Sequence, residues 1–161
     1  MDSGGTAEAG TTTGVNVNQR AIAVAAWESL FRAQVSVMRQ LTAEFPRGEL
    51  TLGEYDVLFT LSTQPDRRLR AHQLNEHLLL TQPSISRMTD RLVLRGLVSK
   101  SADPEDGRVV IVGLTDNGFT AFRRAAASHM ESISRRVGGA LETHELLQLT
   151  VLADKLRLGG S

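Results

Sequence analysis

Apolar side chains recur at helical spacing along most of this chain and switch to strand spacing only near residue 100. Between residues 18 and 45, Ile22, Ala26, Leu30, Val37 and Leu41 form one stripe, and Trp27, Phe31, Val35 and Met38 form an adjacent one. An apolar arc that wide needs cover on more than one face, which in so small a chain predicts contact with a second subunit. Thr51-Leu52-Gly53-Glu54 has the form of a capping box, flanked by Leu50 and Tyr55 at the hydrophobic-staple positions. It predicts a helix carrying Tyr55, Leu58, Phe59 and Leu61 and ending before Gln64-Pro65. A turn rich in Asp and Arg then leads into a short helix from about Arg70 to Leu78. The next helix runs from Pro83 to about Arg95. Ile85, Met88 and Leu92 form its buried stripe, Ser84, Arg87, Arg91 and Arg95 the opposite one, and Gly96 is placed to close it.

Leu97 to Ser101 and Arg108 to Leu114 read as two strands. The Asp103-Pro104-Glu105-Asp106-Gly107 segment between them suits a turn. Thr115 caps a long helix through Phe119, Phe122, Ala126, His129, Ile133 and Val137, interrupted by Gly138-Gly139. A last helix spans about Thr143 to Leu156, with Leu146, Leu149, Leu152 and Leu156 as its seam. The fold class expected is mainly α with a small β-wing.

Composition changes this picture little. A chain of 161 residues, 41% hydrophobic, suits one domain with a real core. Residues 1–17 hold few large apolar groups and are expected to form a disordered tail, leaving 18–161 as a single domain. There is no cysteine, which excludes disulfides, thiolate metal sites and thiol redox sensing within the chain. No basic-then-apolar leader and no apolar run of about 20 residues is present, and the expected location is cytoplasmic.

Charge changes it more. The formal net charge is zero, yet between Arg67 and Arg108 eight basic residues face five acidic ones, a local excess of three. Here the supporting helix Arg70–Leu78 and the second helix from Pro83 make a helix-turn-helix. The second helix would enter the major groove N-terminus first, with Gln82, Ser84, Ser86 and Arg87 nearest the base edges. Glutamine can pair bidentately with adenine and arginine with guanine, while serine contacts bases or phosphate. Arg91 and Arg95 continue the basic face as expected phosphate contacts. The ribbon that follows is a wing. Arg108 at the base of its tip suits a narrow, electronegative minor groove, and Asp106 is placed to hold its guanidinium.

The Asp103-Pro104-x-Asp106-x-Arg108 pattern, with Leu114-Thr115 beyond it and Ser86-Arg87 and Arg95-Gly96-Leu97 before it, resembles the MarR family of transcription regulators. The resemblance covers about Arg20 to Leu156. It implies a homodimeric winged helix-turn-helix protein, the reading head at about 50–115 and dimerisation helices at about 18–45 and 115–158. It further implies that each wing arginine reaches the minor groove beside a palindromic site on double-stranded DNA. Arg70 stands where the family usually carries a small helix-capping residue. The family often senses small aromatic acids in a cleft, which Trp27, Phe31, Tyr55 and Phe59 could line. Phe31 and Phe59 read more readily as core, whereas Trp27 and Tyr55 carry polar tips suited to a ligand. The function expected is a transcriptional repressor released from its operator by such a ligand. The alternative, prompted by zero net charge and the acidic wing, is a winged-helix module that binds protein and not DNA.

His72 and His77 are five residues apart and do not share a helical face, and His129 and His144 stand alone. No metal site, cofactor or catalytic constellation is expected.

Overall fold

A computed structural model describes residues 17–78 and 82–159. The disordered tail expected over 1–17 lies, apart from Val17, outside the described residues. The chain divides into two compact units, Met1–Met38 and Arg39–Ser161. The first unit contributes most of α1, a 28-residue helix spanning Val17–Glu44. Within it Trp27 and Phe31 stack with ring centroids 6.1 Å apart, and Ile22, Trp27, Phe31 and Val35 are exposed in the single chain.

The second unit holds the core. α2 (Leu52–Ser62) starts at the capping box read from the sequence. The Thr51 amide donates to the Glu54 carboxylate at 2.9 Å and the Glu54 amide to the Thr51 hydroxyl at 3.2 Å. Leu50 and Tyr55, at the staple positions, are both buried, and Val57, Leu58 and Leu61 are fully so. A single 3-10 turn, Pro65–Arg67, then leads into β1 (Arg68–Arg70), α3 (Ala71–His77) and α4 (Gln82–Leu94). The strands β2 (Val98–Ala102) and β3 (Val110–Leu114) follow. They lead into α5 (Asp116–Ile133), a five-residue π turn (Ser134–Gly138) and α6 (Thr143–Leu158).

The expected two-stranded ribbon is a three-stranded antiparallel sheet in the order β1-β3-β2. β1 was not foreseen because Arg68-Leu69-Arg70 offers a single apolar residue. Its strand form comes from pairing, Leu69 opposite Val112 on β3. Val112 is wholly buried between the two flanking strands, and Val110, nearer the wing tip, is exposed. Gly96 takes φ 67°, the left-handed conformation expected of it after α4. Thr115 caps α5 by accepting from the Gly118 amide at 3.0 Å, while its own hydroxyl lies 2.8 Å from the Gly96 carbonyl and 3.0 Å from that of Leu97.

Most of the leucine seam of α6 is not covered within the chain: Leu149, Leu152 and Leu156 are exposed, while Leu146 is half-buried. Among the described residues no helix is long and apolar enough to cross a membrane.

Candidate nucleic-acid interface

α4 is anchored from behind. Ile85, Thr89 and Leu92 are buried at helical spacing, and the Thr89 hydroxyl donates to the Ser86 carbonyl at 2.9 Å, so that no polar group is lost in the burial. This leaves Ser86 and Arg87 exposed near the start of the helix, with Ser84 half-buried beside them. Gln82 is the first residue of α4. Arg87 makes no ion pair among the described residues. Arg91 and Arg95, expected beside it as phosphate contacts, turn back towards α2. Arg91 Nε lies 3.9 Å from one Glu54 carboxylate oxygen and Arg95 Nη1 3.3 Å from the other. α4 is also tied to the wing, because Lys100 on β2 reaches Asp90 at 2.5 Å.

The wing is ordered by its acids. Asp103, though at the hairpin end of β2, is only 5% exposed. Its carboxylate accepts from the Glu105 amide at 2.9 Å and from Arg70 Nε at 2.7 Å. The Glu105 amide, then the Arg70 guanidinium, hold the Asp103 carboxyl below the usual carboxylate range against the opposing cost of burial. The second arm of Arg70 reaches Glu105 at 3.3 Å.

Arg70 therefore explains two things at once. As the residue before α3 it has no acceptor with which to cap the helix. Its amide donates instead to the Gln73 side chain at 3.1 Å, leaving the guanidinium to hold the wing. Sequence reasoning missed that role, for which the only signal was an acid-rich tip with no local base except Arg108. Asp106 was expected to hold the Arg108 guanidinium. It accepts from the Arg108 backbone amide, at 3.0 Å, because an aspartate two residues back closes an Asx turn more readily than it reaches a long side chain. Arg108 is exposed at the wing with no ion pair among the described residues.

The aromatic residues read as candidate ligand contacts fall into two groups. Trp27 and Phe31 stack in the first unit. In the second, the sequence order of preference is reversed. Tyr55, favoured for its polar tip, is 7% exposed, its ring packed against Phe45, Phe122 and His129. Phe59, favoured as core, is 48% exposed. The reason is the helical step: Phe59, one turn beyond Tyr55, falls at the margin of the buried face of α2, whose Leu58 and Leu61 stay fully buried. Phe59 stacks on Tyr55 and lies 6.2 Å from Phe122, which lies 6.2 Å from Phe119. The Arg67 guanidinium sits 3.9 Å over the Phe119 ring, so a cation stands at the end of a partly open aromatic row.

His129 is 6% exposed between the Phe45 and Tyr55 rings, and its Nδ1 has no hydrogen-bond partner among the described residues. Burial pushes its pKa down. A histidine held neutral in the folded state binds its proton more readily once unfolded. It therefore opposes no folding above the unfolded value near 6.5 and destabilises progressively as pH falls below it. The melting temperature is expected to decline below pH about 6.5, and His129→Leu to flatten that decline. Equal pH dependence in both proteins would remove His129 as its source.

Among the described residues no group of three or more His, Asp or Glu could hold a metal ion.

Comparison with known proteins places these features. Residues 50–110 match the family model described as MarR family. An uncharacterized HTH-type transcriptional regulator of Bacillus cereus is 31% identical over 119 residues, 73% of this chain and 77% of that protein. The regulator YkoM of Bacillus subtilis is 32% identical over 63% of this chain, which spans 64% of its length. Among solved structures, the MarR family transcriptional regulator Sco3205 of Streptomyces coelicolor, in complex with DNA, superposes with a TM-score of 0.73. It is 26% identical, and the match covers 86% of this chain and 88% of that one.

Proposed function

The chain belongs to the MarR family of winged helix-turn-helix regulators, and from that membership we propose that it is a homodimeric, sequence-specific repressor that binds a palindromic operator and is released by a small ligand. The observation that carries the reading is the wing. Its acids Asp103 and Glu105 pair with Arg70, leaving Arg108 exposed and without an ion pair among the described residues, on the same reading head as Ser86 and Arg87. In this reading α4 enters the major groove with Gln82, Ser84, Ser86 and Arg87 at the base edges, and Arg108 enters the minor groove. Asp106 acts indirectly, by shaping the turn that presents Arg108. Arg70 offsets part of the wing's negative charge by pairing with Asp103 and Glu105, which reduces the support for a protein-binding wing, although Asp106 has no ion pair among the described residues.

Exposed apolar side chains on α1 and on α6 support dimerisation, since apolar surface of that extent is rarely left open on a monomer. In a dimer, reading heads one DNA turn apart require about 34–36 Å between recognition helices. For the ligand, the row Phe59, Phe122 and Phe119 under the Arg67 cation supports a small aromatic acid in the second unit.

The test is a titration against a random duplex at low salt, followed by selection from a random library and addition of aromatic carboxylates to the selected complex. The expected result is binding that weakens with salt, by a slope of about 0.9 per phosphate contact, enrichment of an inverted repeat, and release by at least one carboxylate. Absence of salt-sensitive binding would overturn the DNA reading. Failure of every carboxylate to release the complex would overturn the ligand class alone.

A further inference from the structure

We infer that Glu54 is a positioning residue for DNA recognition: its buried carboxylate holds the C-terminal end of α4 through Arg91 and Arg95, which orient the recognition helix and do not contact phosphate. The inference rests on the DNA-binding reading above.

A carboxylate with a side chain only 6% exposed must be satisfied by partners, and Glu54 has three. One is the Thr51 amide of its own capping box. The other two are the guanidinium groups of Arg91 and Arg95, which stand one helical turn apart on α4 and approach opposite carboxylate oxygens. Arg95 is held a second time, donating to the backbone carbonyl of Glu49 just before the cap. The adjoining residue of α2 is adapted to the same contact. A Cβ built on Gly53 would stand 3.1 Å from the Met88 side chain of α4, so the missing side chain lets the first turn of α2 lie close against the recognition helix. Capping box, glycine and arginine pair thus converge on one joint. The buried Ile85 and Leu92 resist separation of α4 from the core, but apolar packing is weakly directional. The two guanidinium groups, 3.9 and 3.3 Å from opposite oxygens of a fixed carboxylate, add an electrostatic restraint, and the Arg95 bond to the Glu49 carbonyl adds a directed one. Arg87, one turn nearer the N-terminus than Arg91, has no such partner among the described residues and remains a base or phosphate contact in this reading.

Glu54→Gln suits the test because glutamine at this position still completes a capping box, so the fold is expected to persist. Affinity for the duplex selected by the wild-type protein should fall roughly tenfold, the scale of coupling between residues in direct contact. Affinity for a random duplex should hold or rise, since an acid has been removed. Arg95→Met should likewise lose operator affinity with an unchanged salt slope, and the double variant should be no weaker than Glu54→Gln alone. Hydrogen exchange of the DNA-free protein over residues 88–95 should quicken in Glu54→Gln.

A salt slope smaller by about 0.9 in Arg95→Met would make that residue a phosphate contact and overturn the inference. An unchanged operator-to-random ratio in Glu54→Gln would also overturn it. If the wild-type protein selects no duplex, the DNA reading fails on its own account. The joint is then judged by exchange alone, and unchanged exchange in Glu54→Gln refutes it.

Discussion

Arg108→Ala is expected to cost operator affinity about a hundredfold while leaving the dimer and the melting temperature as they were. Arg108 is exposed and unpaired among the described residues, so its removal breaks no internal contact. Its turn is set by backbone and aspartate, through the Arg108 amide to Asp106 and the Val109 amide to the Asp106 carbonyl, and alanine keeps both. The proposed dimer carries two wings, and a base-reading arginine is worth about 1–3 kcal/mol. The combined loss reaches about a hundredfold if each wing contributes roughly 1.4 kcal/mol, which lies within that range. Gel-shift titration at fixed salt measures the loss, and sedimentation checks the dimer. Unchanged affinity would take the wing out of the interface. A loss accompanied by dissociation would place Arg108 in the assembly and not in the groove.

The second large effect is on stability. Gly118→Ala is expected to lower the melting temperature by about 6–12 °C, corresponding to roughly 3 kcal/mol for a domain of this size. Alanine favours the helix over glycine by about 1 kcal/mol, so propensity alone predicts the opposite sign. Contact decides it: a Cβ on Gly118 would lie 1.9 Å from the Leu97 carbonyl oxygen and 2.8 Å from a Leu114 methyl. The carbonyl belongs to the backbone and has no rotamer to escape into. The same carbonyl accepts from the Thr115 amide and lies 3.0 Å from its hydroxyl, so displacement of α5 also disturbs its cap and the entry to β2. Thermal unfolding followed by circular dichroism is the measurement, with Asn117→Ala, one exposed residue away, as control. A Gly118→Ala protein that melts with the control would show that the start of α5 does not rest on Leu97.

Much of the fold is legible in the sequence because its signals are local. The Thr51–Glu54 box, the glycine closing α4 and the Thr115 cap each satisfy backbone groups within a few residues, whatever surrounds them. The apolar steps of α4 and the turn residues of the wing are local in the same sense, and together they place the helix-turn-helix and wing correctly. The candidate site is legible only in outline. The exposed faces carrying Ser86, Arg87 and Arg108 follow from periodicity. What their charged neighbours do does not.

That division has a physical cause. The sequence by itself determined the order and type of the helices, the wing, and which stripes are apolar, since these depend on separations of two to four residues. Tertiary structure decided everything that depends on pairing across the chain. It formed β1 by laying Leu69 beside Val112. It carried Arg70 thirty-three residues along the sequence to Asp103, turning an apparent capping defect into the support of the wing. It turned Arg91 and Arg95 from an apparently free basic face to Glu54, and it exposed Phe59 while burying Tyr55. A side chain's type states which partner it needs, but only the placed backbone states which partner is within reach.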